Sequence, residues 1–387
     1  MANYTKFGAI LLLFGALAIA SAMYSWSRFS PGQEFLPSAL ASGKAPVSYV
    51  NKRLPQNLAS IDTTLLADIA KTSLVRDALN PAAIRLLTLD ARARQETSET
   101  LELTRLSRKL SRRDSINNII LIETLAAQPG TSVEEIIELY DLTLRIRPET
   151  SERLYPALVQ VLANEEAREA LVPHMRPEKD WIPGLMIAAL DAEHGPAAVA
   201  DMFLATYPDK TLSFSNKFSS SALFNALIKQ GEYRRLRTLF LRMEEANPEW
   251  LSSMDFGLAE YQNKYGPLVW QFINRPDSGA EMIQARNGKL AVTLFATSGT
   301  RSIAMRRLVF LEPGSYRISV QASEKYQPRI VCFNEGDTKP IPLDIDLSGD
   351  FTVPQDCAAQ MINFPVFGGD SQTGNEIIIT RFDLTKI

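Results

Sequence analysis

A phrase that occurs twice, about a hundred residues apart, constrains this chain more than anything else in it. Residues 133–149 read VEEIIELYDLTLRIRPE and residues 231–249 read GEYRRLRTLFLRMEEANPE. In each, an apolar residue (Ile136, Leu236) is followed four positions on by an aromatic (Tyr140, Phe240) and twelve on by proline (Pro148, Pro248). A weaker copy, TSETLELTRLSRKLSRRD, sets Leu101 in the first slot and Arg113 in the place of proline. A spacing of four puts both side chains on one helix face, and a proline stops the helix. A recurring helix that cannot bury its own apolar face predicts stacked hairpins, an architecture that binds rather than transforms.

Helical periodicity runs from about 58 to 265. Asp62 is placed to cap a short helix that ends near Lys71. Asn80 precedes Pro81, the preferred pair at a helix start. Ser115 opens a segment with Ile119, Ile122 and Leu125 on one face, closed by Pro129-Gly130. Ser132 begins a helix striped by Val133, Ile136, Ile137, Tyr140 and Leu144. Successive starts lie about 34 residues apart, two helices and two turns per unit. With its Gly-x-Tyr…Pro frame, GEYRRLRTLFLRMEEANPE resembles the second helix of a tetratricopeptide repeat. Leu236, Ile136 and Leu101 stand where that family has alanine, which implies looser packing. The likeness covers roughly 80–250 and is broken between about 150 and 220 by the prolines of VPHMRPEKDWIPG.

Near 266 the texture changes to short strand-like runs: VWQFI, EMIQA, KLAVTLFAT, IAMRRLVFL, SYRISVQAS, RIVCFN, PLDIDL, FTVP, AQMINFPVF and EIIITRFDL. Tyr316, Ile318 and Val320, and again Ile377 and Ile379, alternate with polar residues. About ten strands in 120 residues predict a β-sandwich or jelly roll. The phrase VFLEPGSYRISVQAS resembles jelly-roll modules of the carbohydrate-binding kind. With an apolar leader and helical repeats, the whole resembles exported proteins of bacterial polysaccharide systems.

From Phe7 to Ser27 no residue is charged; Lys6 precedes the run and Arg28 follows it. That length spans a bilayer. Met23, Tyr24 and Trp26 extend the run, and aromatics suit an interface, so the segment reads as an uncleaved anchor. A cleaved signal peptide ending at Ala18-Ile19-Ala20 or Ala20-Ser21-Ala22 is the competing reading. Either places the body outside the cytoplasm. Residues 28–55, with Pro31, Pro37, Pro46 and Pro55, read as an extended spacer. In an oxidising space the only two cysteines, Cys332 and Cys357, are placed to pair; such a link contributes about 3 kcal/mol. Two free thiols are the alternative. A net charge of −3 offers no basic footprint for nucleic acid.

Catalytic and metal motifs are missing. His174 and His194 are the only histidines, and no HExxH, Gly-x-Ser-x-Gly or phosphate-cradling loop occurs. Asp344-Ile345-Asp346-Leu347-Ser348-Gly349-Asp350 matches the start of a calcium loop, but Gln355 stands where the bidentate glutamate belongs. The favoured reading there is a hairpin with Ile345 and Leu347 facing the core. Glu134-Glu135 and Glu244-Glu245 read as solvated helix faces. Among the aromatics Trp270, Tyr316, Tyr326, Phe333 and Phe367, the first two and Phe333 read as core. Tyr326, in the polar loop EKYQPR, is expected to be the exposed one, with Arg329 beside it as a possible glycan contact.

These readings predict a multidomain α plus β protein. Residues 1–27 form a transmembrane anchor, 28–57 a linker, 58–265 a tetratricopeptide-like solenoid and 266–387 a β-sandwich. No catalytic residue, cofactor or metal is expected. The function expected is that of a scaffold held by a single pass in the inner membrane, with its body in the periplasm. Its repeats would take a protein partner and its sandwich a polysaccharide. An envelope-polysaccharide enzyme with carboxylates in the sandwich and a purely structural assembly protein are the alternatives.

Overall fold

The computed structural model describes residues 63–175, 179–207, 217–244, 246–284, 288–369 and 374–387. The expected anchor and linker, and the cap at Asp62, lie outside them. No helix among the described residues is long and apolar enough to cross a membrane. The protein is α plus β: helical repeats come first, then two five-stranded antiparallel sheets. It divides into two compact units, between Leu185 and Met186.

The first unit is helical. Its elements are α1 (Thr63–Arg76), α2 (Pro81–Ala93), α3 (Thr97–Leu110), α4 (Ser115–Ala126), α5 (Val133–Ile146), α6 (Ser151–Val161), α7 (Glu165–Leu171) and the start of α8 (Trp181–Ala189). From α1 to α5 each helix packs on its neighbour in the chain, and α5 then packs on α7. The boundaries follow local chemistry. Asn80 Oδ1 accepts from the amides of Ala82 and Ala83, with Pro81 at the first position. Asp114, not Ser115, caps α4, and it also pairs with Arg85 of α2 at 2.5 Å. Ser132 Oγ caps α5 through the Glu135 amide.

The seams between these helices contain small polar residues. Thr88, Thr100, Thr104, Ser107 and Thr143 are buried. Each of these threonine hydroxyls bonds a carbonyl of the preceding turn, so it is buried with its donor satisfied. This changes the third copy of the repeated phrase. In α3 the buried face is Thr100, Thr104 and Ser107, while Leu101 is only half-buried and Leu106 is exposed.

In the second unit, α8 ends and is followed by α9 (Gly195–Thr206), α10 (Ser220–Lys229), α11 (Tyr233–Leu241) and the short α12 (Gln262–Tyr265). Here the phrase keeps its expected burial: Leu236 and Phe240 are both fully buried. Pro148 and Pro248 play the same part, each starting a 3-10 turn after its helix.

Ten strands follow among the described residues: β1 (Gln271–Phe272), β2 (Ser278–Gln284), β3 (Leu290–Ala296), β4 (Arg301–Val309), β5 (Gly314–Ala322), β6 (Arg329–Asn334), β7 (Ile341–Leu343), β8 (Asp350–Val353), β9 (Cys357–Phe367) and β10 (Asn375–Lys386). One sheet has the order β1-β4-β9-β6-β7, the other β2-β3-β10-β5-β8. Their shared core includes Ile330, Ile362, Phe364 and Val366 from the first sheet and Val292, Leu294, Ile379 and Phe382 from the second. Trp270 sits fully buried among Phe256, Phe364 and Phe382.

The hairpin expected at 344–353 does not form. β7 and β8 belong to different sheets, so the chain crosses between sheets there. Asp346 Oδ1 holds the crossing by accepting from the Ser348 and Asp350 amides and the Ser348 hydroxyl. Leu347, expected to face the core, is fully exposed; a turn tip has no core beneath it.

Side-chain alternation divides the first sheet into two faces. Ile362 and Phe364 point into the sandwich, so Ala359, Met361 and Asn363 of β9 point away from it. The helices cover one end of that outer face. Tyr233 of α11 stacks on Phe333 at 5.5 Å, and Phe333 is opposite Ala359. The turn before α11 docks on the turn after β6, where the Gly336 amide donates to Gly231 O at 3.0 Å. Gly231 has φ of 75°, and a Cβ there would lie 2.8 Å from the Asp337 amide nitrogen. Gly231→Ala is therefore expected to cost at least about 1–2 kcal/mol from the backbone alone. A urea midpoint equal to that of the parent protein would refute this.

Candidate functional site

An open pocket of about 450 Å³ lies in the second unit where the helices stop covering the first sheet. Ser219, Ser221, Gln262 and Asn263 line it from the helical side. Gln271, Phe272, Ile273, Asn274 and Arg306 line it from the sheet. Local structure fixes most of these groups. Ser219 caps α10 through the Ala222 amide, and Ser220 Oγ ties α10 to the Lys264 carbonyl. Gly266 lets this turn approach, since a Cβ there would meet Ser221 Oγ.

The lining is rich in donors. Gln262 Oε1 accepts from the Phe272 amide at 3.2 Å and Asn274 Oδ1 from the Ala280 amide at 2.9 Å. Gln271 Oε1 accepts from Arg306 Nε at 3.1 Å. With their oxygens engaged, the three amides have NH2 groups left to offer, beside the serine hydroxyls and the guanidinium. None of the lining residues is a carboxylate. Arg306 is half-buried, and burial lowers its pKa. No ion pair reaches it among the described residues.

Strand register continues the face of Arg306 beyond the pocket, through the buried Asn363. Gln271 of β1 is opposite Arg306 of β4; Arg306 is opposite Asn363 of β9; Asn363 is opposite Arg329 of β6. Directly paired residues share a face, so these four form one polar row across four strands. The next row on that face, Leu308, Met361 and Val331, is apolar; Leu308 and Met361 are buried.

The residues singled out from sequence fall in several places. Arg329 is exposed and ends the polar row. Tyr326 is not the open platform expected of it. It is half-buried, with its ring stacked on Phe364 at 5.7 Å and its hydroxyl donating to Pro365 O at 2.8 Å. Burial pushes its hydroxyl well above the usual range. Neither residue lines the pocket. Cys332 and Cys357 are disulfide-bonded. Trp270, Tyr316 and Phe333 are buried, whereas Phe367 is 52% exposed, with the Arg301 guanidinium 5.7 Å from its ring centroid. Asp344 and Asp346 are exposed, and among the described residues no three His, Cys, Asp or Glu side chains could hold a metal.

His194 is exposed, while His174 is part of a charged knot in the first unit. There Asp141 Oδ1 accepts from Lys179 Nζ and Trp181 Nε1, both at 2.9 Å, and Arg145 reaches Oδ2. His174 Nδ1 lies 2.7 Å from Lys179 Nζ. Burial alone would raise the Asp141 carboxyl, but His174, Lys179 and Trp181 hold it well below the usual carboxylate range.

Sequence reasoning missed Arg306, Gln271 and Asn274. The signal available was a glutamine and an arginine doublet inside the apolar runs VWQFI and IAMRRLVFL. No protein-family model matches this sequence, and no curated protein matches it.

Proposed function

We propose that this chain is a membrane-anchored, extracytoplasmic binding protein whose C-terminal unit holds a saccharide against the outer face of its first sheet. One observation carries the reading: a pocket lined by four side-chain amides, three of them with oxygens engaged and NH2 donors spare, two serine hydroxyls and a guanidinium, with Phe272 at its side. Such groups match the dense acceptors of a sugar, and they are not the paired carboxylates of a glycosidase. In this reading the sheets are a jelly roll of the carbohydrate-binding kind. Residues 7–27 anchor the chain in the inner membrane, and 28–57 space the body from it. The tetratricopeptide-like repeats take a protein partner of a polysaccharide assembly. Val75 and Leu79, 89% and 70% exposed at the corner between α1 and α2, supply apolar surface for that partner.

Affinity electrophoresis of the full chain in detergent, against neutral and acidic bacterial polysaccharides, tests the saccharide reading. Retardation by at least one polymer is expected, weakened about tenfold in Kd by Asn274→Ala or Gln271→Ala. A folded protein that no polymer retards would overturn the reading and leave protein assembly as the better account.

A further inference from the structure

Resting on that reading, we infer that the ligand is an acidic glycan chain, with carboxylates on its sugars, laid across β1, β4, β9 and β6 along the Gln271–Arg306–Asn363–Arg329 row. Arg306 and Arg329 share a face two strands apart, about 10 Å at the usual strand spacing. Neither has an ion pair among the described residues. Arg306 has given only its Nε, to Gln271 Oε1, so both terminal nitrogens are available for a forked grip on a carboxylate. Arg329 is exposed at the far end of the row. A half-buried cation without an acid beside it is costly to the folded protein, and a ligand anion would offset that cost.

The rest of the site agrees. The engaged oxygens of Gln262, Gln271 and Asn274 leave a lining dominated by donors, which suits an anion better than a neutral sugar that must also donate. At the backbone the two arginines are spaced by more than the width of one sugar ring. The site is therefore built for a chain with at least two acidic units, and a free uronic acid would engage one arginine only.

The test is titration calorimetry of the full chain in detergent with oligogalacturonates of increasing length, their carboxyl-reduced counterparts, galacturonic acid and dextran sulfate. Expected are binding of the oligouronate, loss of at least about tenfold on carboxyl reduction, and weakening with added salt. Arg306→Gln and Arg329→Ala should each weaken the oligouronate about tenfold, and the reduced chain by clearly less. Arg329→Ala alters an exposed residue and guards against misfolding of the Arg306 variant. Equal affinity for the reduced chain overturns the carboxylate inference but leaves the saccharide reading intact. Failure of the uronate and reduced chains alike overturns the acidic-glycan inference, and the saccharide reading falls with it only if no polymer retards the protein in electrophoresis. Monomer binding as tight as the oligomer overturns the two-arginine span. Equally tight dextran sulfate reduces the row to a general polyanion surface and overturns the uronate assignment.

Discussion

Asp141→Ala is expected to destabilise the first unit by about 3–5 kcal/mol, the usual result of removing one member of a buried, hydrogen-bonded ion pair. Asp141 is 5% exposed, and its Oδ1 alone accepts from Lys179 and Trp181. Truncation leaves a part-buried ammonium and a buried indole N–H without their common acceptor. It also releases Lys179 and Trp181 from α5, to which that carboxylate ties them. Asp141→Asn keeps an acceptor for Trp181 but removes the charge, so a smaller loss is expected. Trp181 is the reporter: urea denaturation of the full chain labelled with 5-fluorotryptophan, followed by fluorine resonances, separates it from Trp250 and Trp270 in the second unit. An unchanged Trp181 midpoint in the alanine variant would end this account. The pH dependence has a defined sign. The folded carboxyl lies below its unfolded value, so the unfolded chain binds the proton more readily and stability falls with falling pH. The contribution is complete above the unfolded pKa of about 4 and is lost progressively as pH falls from there toward the lower folded value, so the gap between Asp141→Ala and the parent should narrow over that range.

How much of this could be read from the chain differs by region, for physical reasons. Helix caps are local: Asn80 before Pro81 and Ser132 before its glutamates specify their own hydrogen bonds within three residues, and both were legible. Strand positions were legible because alternation and turn residues repeat through 266–387. The stretch near 150–220 resisted because its helices are short and prolines interrupt them: Pro156 lies inside α6, and α7 has only seven residues. Leu101 misled because a buried threonine whose hydroxyl satisfies itself looks solvated in a sequence. The polar row was out of reach. Its four members come from strands far apart in the chain, and only the sheet order with its register sets them side by side. Tyr326 went wrong for the complementary reason, since a polar loop said nothing of Phe364 lying against it.

Arg307, beside Arg306 but on the opposite face of β4, leads to an expected gain of stability. Register places it opposite Ile362, so it points into the sandwich, where it is fully buried. One terminal nitrogen donates to the Trp250 carbonyl, and the guanidinium carbon lies 5.5 Å from the Trp270 ring centroid. Its Nε and other terminal nitrogen have no hydrogen-bond partner. Burial pushes its pKa down to about 9, with the Asp255 charge partly opposing, so it is still a cation at neutral pH. The carbonyl bond and the ring contact contribute about 2 kcal/mol each. Against them stand several kcal/mol for desolvating a charge and about 1–3 for each orphaned donor. The costs are larger. Arg307→Met, which fills similar volume without charge, should therefore stabilise the second unit by about 1–4 kcal/mol, raising Tm by roughly 2–4 °C per kcal/mol. Arg307→Ala should destabilise it, since the lost volume leaves a cavity. A methionine variant that melts below the parent would show that the Trp250 and Trp270 contacts outweigh the buried charge. A stabilised variant would mean that the arginine is kept for something other than stability. Saccharide binding by that variant would then show whether Arg307 supports the strand that presents Arg306.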